Sequence, residues 1–150
     1  MIPRPIRDNN PGDLDSGAAW QGLMPENEMT PEQKAEPRFC IFKTPPFGFR
    51  ALCLLLRNYH VIYKCDTIEQ IVHKFAPPTE NNTKAYVADV AKDCGVDPSA
   101  TLPVISRDFM FKLAKAIAKH ETGSWEPYWN DADLDMGLGL AGFPALKVAA

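Results

Sequence analysis

Residues 47–63 are apolar almost all the way round a helix, because Ala51, Leu52, Leu54, Leu55, Leu56 and Tyr59 leave little face for water. Such a helix holds in water only when other elements cover it, so the rest of the chain must provide that cover. The sequence contains suitable partners. Asp66-Thr67-Ile68-Glu69 reads as an N-cap with a capping-box Glu, opening a short helix through Ile68, Ile71, Val72 and Phe75 that Pro77-Pro78 stops. Residues 83–94 place Tyr86, Val87, Val90, Ala91 and Cys94 on one helical face, and Gly95 follows as a C-terminal cap. Ser106 caps a fourth helix, from 107 to about 122, with the stripe Phe109, Met110, Leu113 and Ile117 and a stop at Gly123.

The ends of the chain are less regular. Residues 1–37 read as loop laid over the helical body, with a strong turn at Asn9-Asn10-Pro11-Gly12 and a polar, proline-bearing stretch over 24–37. Phe39-Cys40-Ile41-Phe42 is β-prone and reads as one strand of a small hairpin or as an extended segment. Residues 132–142 suggest a last short helix weakened by Gly137, Gly139 and Gly142. With 150 residues and no internal repeat, the expectation is one mainly α domain spanning 1–150, a helical bundle around a central apolar helix.

Several function classes drop out. The formal net charge is −3 and no basic stripe is visible, so no nucleic-acid partner is expected. No run approaches the roughly 20 apolar residues of a membrane span, and the N-terminus lacks a signal-peptide core. Cys40, Cys53, Cys65 and Cys94 form no CxxC pair and read as buried reduced thiols, with a disulfide open only outside the cytoplasm. His60, His73 and His120 have no metal-ligand spacing, and GxSxG, phosphate-loop and HExxH elements are absent, so neither metal nor cofactor is expected.

Glu121 is the most informative single position. It follows Phe109, Leu113 and Ile117 at steps of four and so continues the buried stripe. It also lies in the last helical turn, where the dipole disfavours a carboxylate; both effects raise its pKa, as a general acid requires. The plainer alternative is a frayed helix end with Glu121 in solvent. Glu80, Asn82 and Thr83, next to Pro77-Pro78, could rim a sugar site, or Asn81 or Asn82 could merely cap the next helix. Asn9, Asn10 and Asp13 could bind an oligosaccharide or serve only their turn. Tyr86 could present its hydroxyl to a site or belong to the core. Trp20, Trp125 and Trp129 could stack on sugar faces, with at least one expected to be partly exposed.

Taken together, Arg7-Asp8-Asn9-Asn10-Pro11-Gly12-Asp13-Leu14, Trp20-Gln21-Gly22, Phe39–Phe42, Gly48-Phe49-Arg50-Ala51-Leu52, Leu55-Leu56-Arg57-Asn58-Tyr59, Ala76–Thr83, Tyr86, Gly95-Val96 and His120-Glu121-Thr122-Gly123 resemble phage-encoded, lysozyme-like proteins often labelled virion structural proteins. The chain is also similar to flagellar-type glucosaminidases, whose Glu-bearing helix comes first, whereas here it comes last; the order implies a circularly permuted α+β lysozyme-like fold. The resemblance implies cleavage of the β-1,4 bond between N-acetylmuramic acid and N-acetylglucosamine, by a muramidase or a lytic transglycosylase. Glu121 would be the acid, Tyr86 would orient substrate or water, and Glu80 and Asn82 would line the groove. Glu80, Asp13 or neither would be a second carboxylate; the family usually has Asn in place of Asp13. The implied partners are peptidoglycan glycan strands and other virion proteins, and the implied place is the virion or the host periplasm and cell wall. The alternative is a non-catalytic virion or peptidoglycan-binding protein of the same fold, and a more distant one is an inhibitor of a host enzyme.

Overall fold

The computed structural model describes residues 2–79, 81–102 and 104–144. Among these the chain forms seven α-helices and almost no β structure: α1 (Arg4–Arg7), α2 (Pro31–Lys34), α3 (Pro45–Val61), α4 (Ile68–Phe75), α5 (Thr83–Cys94), α6 (Arg107–Thr122) and α7 (Asp131–Leu140). A single 3-10 turn, Glu26–Glu28, precedes α2.

The apolar helix is the centre, as its composition requires. Phe49, Ala51, Leu52, Cys53 and Leu56 of α3 are buried, and α3 packs on α4, α6 and α7. Its closest partner is α7, and Gly137 explains how. A Cβ there would lie 2.5 Å from Phe49 Cβ and 3.0 Å from the Pro46 carbonyl oxygen, so only glycine lets the two helices approach this closely. The glycines that weaken residues 132–142 as an isolated helix thus allow the packing that stabilises it, and Asn130 caps its start by accepting from Asp133 N.

Trp125 and Trp129 are buried against Phe49, with ring centroids 5.8 and 5.4 Å away. They are core residues, which corrects their reading as sugar platforms; Trp20 is the partly exposed one. The four cysteines are free and buried, and burial raises the Cys53 and Cys94 thiols to about 12, so they remain unreactive.

The N-terminal region is more ordered than its sequence suggests. α1 is begun by Pro5 near its N-terminus, and α2 by a capping box in which Thr30 and Gln33 exchange hydrogen bonds. Residues 39–42 are extended but not a strand of a sheet: isolated antiparallel bridges join Asp15 to Phe39 and Leu23 to Phe42. α1 packs against α6, which brings the N-terminal turn to the helix carrying Glu121.

Candidate active site at the end of helix α6

Glu121 is in the last turn of α6. Gly123, at φ +99°, ends the helix, and the Trp129 indole N–H donates to Thr122 Oγ1 at 3.0 Å, tying that end to the core. Glu121 is therefore half-buried and fixed in place, not frayed into solvent. Its carboxyl faces a cavity of about 930 Å³ whose opposite wall comes from the N-terminal region: Arg4, Asp13, Trp20, Glu36 and Phe39. Asn81, Tyr59 and Phe75 contribute to the remaining wall.

Burial pushes the Glu121 carboxyl up to about 7, the nearby Asp13 carboxylate pushes the same way, and Tyr86 and Arg4 oppose them. A carboxylic acid half-protonated near neutral pH can donate a proton to a leaving oxygen and later take one back.

Tyr86 lies behind Glu121. Its side chain is fully buried on α5, stacked on the His120 ring at 3.6 Å between centroids and edge-on to Phe75 at 6.4 Å. The hydroxyl comes close enough to Glu121 for each group to alter the other's proton affinity, yet it makes no hydrogen bond of ordinary geometry. Burial, with Glu121 beside it, raises the phenol far above its usual range, so it stays protonated. It does not line the cavity; this corrects the expectation that Tyr86 touches substrate or water, because it reaches them only through Glu121. The His120 pKa is lowered by burial, with Asp89, 3.8 Å from Nδ1, pulling the other way.

The opposite wall is built from ion pairs. Arg4 donates to both Asp13 oxygens, at 3.0 and 2.5 Å, and stacks 3.6 Å from the Phe39 ring centroid. Arg7 bridges Asp8 and Glu36, both at 2.8 Å. Asp13 has φ +48°, a conformation that Asn or Asp tolerates better than most side chains, and it is thereby turned into the cavity.

The other candidate residues have structural tasks. Asn10 is completely buried; its Nδ2 donates to the Leu14 and Cys40 carbonyls at 3.1 and 2.9 Å, and its Oδ1 accepts from Leu14 N. Asn9, at φ +51°, donates to the Phe42 and Lys43 carbonyls. Gly48 is needed here, since a Cβ would sit 2.0 Å from the Asn9 carbonyl oxygen. The two asparagines pin the turn to the start of α3, and their expected role on substrate is corrected to that one. Asn82 caps α5, and Thr83 is buried with its hydroxyl donating to the Ala76 carbonyl at 2.7 Å; neither lines the cavity. Glu80 lies outside the described residues. Sequence reasoning missed Arg4 and Glu36, whose meeting depends on α1 docking on α6 and which no local pattern pairs. Among the described residues no group of three His, Cys, Asp or Glu side chains could hold a metal ion, and no helix is long and apolar enough to cross a membrane.

Against known proteins the chain is 39% identical over 132 residues to a protein named Protein P5 of Pseudoalteromonas phage PM2, covering 85% of this chain and 76% of that protein. The chain belongs to the Protein P5 family. No protein-family model matches it. The family is phage-encoded in at least one member.

Proposed function

We propose that this P5-family chain is a peptidoglycan-cleaving glycosidase with a lysozyme-like, circularly permuted fold, acting on the β-1,4 bond between N-acetylmuramic acid and N-acetylglucosamine. One observation carries the reading: a carboxyl raised to about 7 faces a cavity large enough for sugar rings. Glu121 donates its proton to the glycosidic oxygen as the bond breaks. Trp20, partly exposed on the cavity wall, offers a flat apolar face to a pyranose ring.

Asp13 is engaged on both oxygens by Arg4, which leaves it poorly placed as a nucleophile. This favours a lytic transglycosylase route, in which Glu121 first acts as acid, then as base toward a hydroxyl of the substrate itself. In a phage such an activity would be carried by the virion to the host cell wall at entry or release, and the phage origin of the relative supports that setting.

The test is digestion of purified peptidoglycan with the wild-type chain and Glu121→Gln, followed by mass analysis. Anhydro-ended fragments that vanish in the variant are expected; reducing ends, heavier by one water, would instead mean hydrolysis. Equal digestion by both proteins would remove Glu121 from the mechanism. No digestion by either, with both pelleting alike on cell walls, would leave the non-catalytic wall-binding virion component as the function.

A further inference from the structure

A second cavity, of about 350 Å³, adjoins the first and shares Ala18, Pro37 and Phe39 with it. Its remaining surface is mostly apolar, from Leu23, Met24, Met29 and Ile41. The backbone fixes its shape: Met24 N donates to the Ile41 carbonyl at 2.8 Å, and Lys43 N to the Gly22 carbonyl at 2.8 Å. Polar groups inside it are already used. The Gln33 amide bonds to Thr30 N and the Arg7 carbonyl, the Ser16 hydroxyl donates to the Pro37 carbonyl, and the Cys40 thiol donates to the Asp15 carbonyl. What remains for a ligand is an apolar interior, adaptable because two of its side chains are methionine, and two exposed charges of opposite sign, Glu26 and Lys34.

We propose that this second cavity is a subsite for the peptide branch of the polymer whose glycan occupies the first. The inference rests on the glycosidase reading and deepens it. A peptidoglycan branch leaves the muramic acid as a short peptide with alanine methyl groups, a free amine and free carboxylates. The methyls fit between Leu23, Met24 and Met29, the amine faces Glu26, and a carboxylate faces Lys34. The two cavities adjoin at Ala18, Pro37 and Phe39, so a branch leaving a sugar beside Phe39 starts next to the second cavity. The pocket then confers preference for peptide-bearing strands, while Glu121 performs the chemistry.

The probe is the tetrapeptide L-Ala-D-Glu-diaminopimelate-D-Ala, titrated into the full chain labelled with ¹³C at methionine methyls. Saturable shifts of Met24 and Met29 are expected, with Met110 and Met136 as unaffected internal references. Lys34→Glu, at an exposed position, weakens the binding about tenfold, and Met29→Glu abolishes it. No shift at millimolar peptide, or a Met24 shift unchanged in both variants, overturns the proposal; a lipid or an unrelated protein segment shifting these signals in place of the peptide does so too. In parallel, the wild-type chain should cleave peptide-bearing strands with a kcat/KM about tenfold above that for strands stripped of peptide, and Lys34→Glu should bring that ratio toward one without changing cleavage of stripped strands. Methionine shifts without cleavage of either substrate sink the glycosidase reading and keep the pocket; cleavage with no shift and no preference does the reverse.

Discussion

The two walls of the main cavity treat their carboxylates in opposite ways. On the N-terminal wall the acidic groups have cations: Asp13 is gripped at both oxygens by Arg4, Glu36 is held by Arg7 and Asp15 by Arg38. On the helical wall Glu121 forms no ion pair among the described residues; burial and the nearby Asp13 carboxylate outweigh Tyr86 and Arg4, and its pKa rises to about 7. The comparison teaches that the same residue class becomes either scaffold or acid according to what packs beside it. Ion pairing holds a carboxylate in its charged form, whereas desolvation without a partner holds the proton on.

Glu121→Gln is the sharpest break of that contrast. It retains size and polarity but cannot give up a proton, and cleavage of peptidoglycan should fall at least about a hundredfold. A turbidity assay reads it, and unchanged clearing would contradict the role. Asn10→Ala attacks the other wall. Losing three buried hydrogen bonds and stranding the Leu14 amide should cost about 3 kcal/mol, read as a lower denaturation midpoint, with catalysis by the still-folded fraction unchanged. A stability effect below about 0.5 kcal/mol would mean that the turn is not held in this way.

Tyr86→Phe is the intermediate case. The hydroxyl is buried without a hydrogen bond, so removing it should leave stability unchanged or raise it by up to about 1 kcal/mol, while activity falls about tenfold through the altered Glu121 environment. Loss of stability alongside unaltered activity would make the phenol purely structural. Asp13→Asn should have the smallest effect. Asn tolerates the positive φ, and losing the anion removes one of the forces that raise Glu121, so the pH limb set by Glu121 should move to lower pH with turnover at the optimum nearly kept. A collapse of turnover at every pH would instead make Asp13 a second catalytic carboxylate.

Much of the helical frame was legible in the sequence because each signal was local. Asn82 and Ser106 cap as their types prescribe, and the apolar stripe of α6 carries Glu121 to where the spacing put it; at α4 the cap is Thr67 bonded to Gln70 N, one residue on from the capping-box Glu69 that the sequence suggested. The departures all involve long-range partners. The sequence left the asparagines of the N-terminal turn open between sugar ligands and turn formers; their amides are drawn to carbonyls about thirty residues on, which no local pattern encodes. α7 forms despite two internal glycines because Gly137 is matched to α3, and Trp125 and Trp129 sit under that contact and not in solvent. Arg4 was unreadable for the same reason: its place depends on α1 reaching the far end of α6.

The raised Glu121 pKa also marks stability. Folding favours its protonated form, so that contribution is full below the unfolded value near 4.5 and is lost as pH rises through about 7. His120, with its pKa lowered by burial, works in the opposite direction, so the Glu121 contribution is read as the difference between wild type and Glu121→Gln.

The most direct measurement is a ¹³C-carboxyl NMR titration of Glu121 in the free protein, assigned by loss of its signal in Glu121→Gln. A midpoint near 7 is the expected result. A midpoint near the ordinary glutamate value of about 4.3 would show a carboxylate no different from those on the opposite wall, and the acid role would be lost.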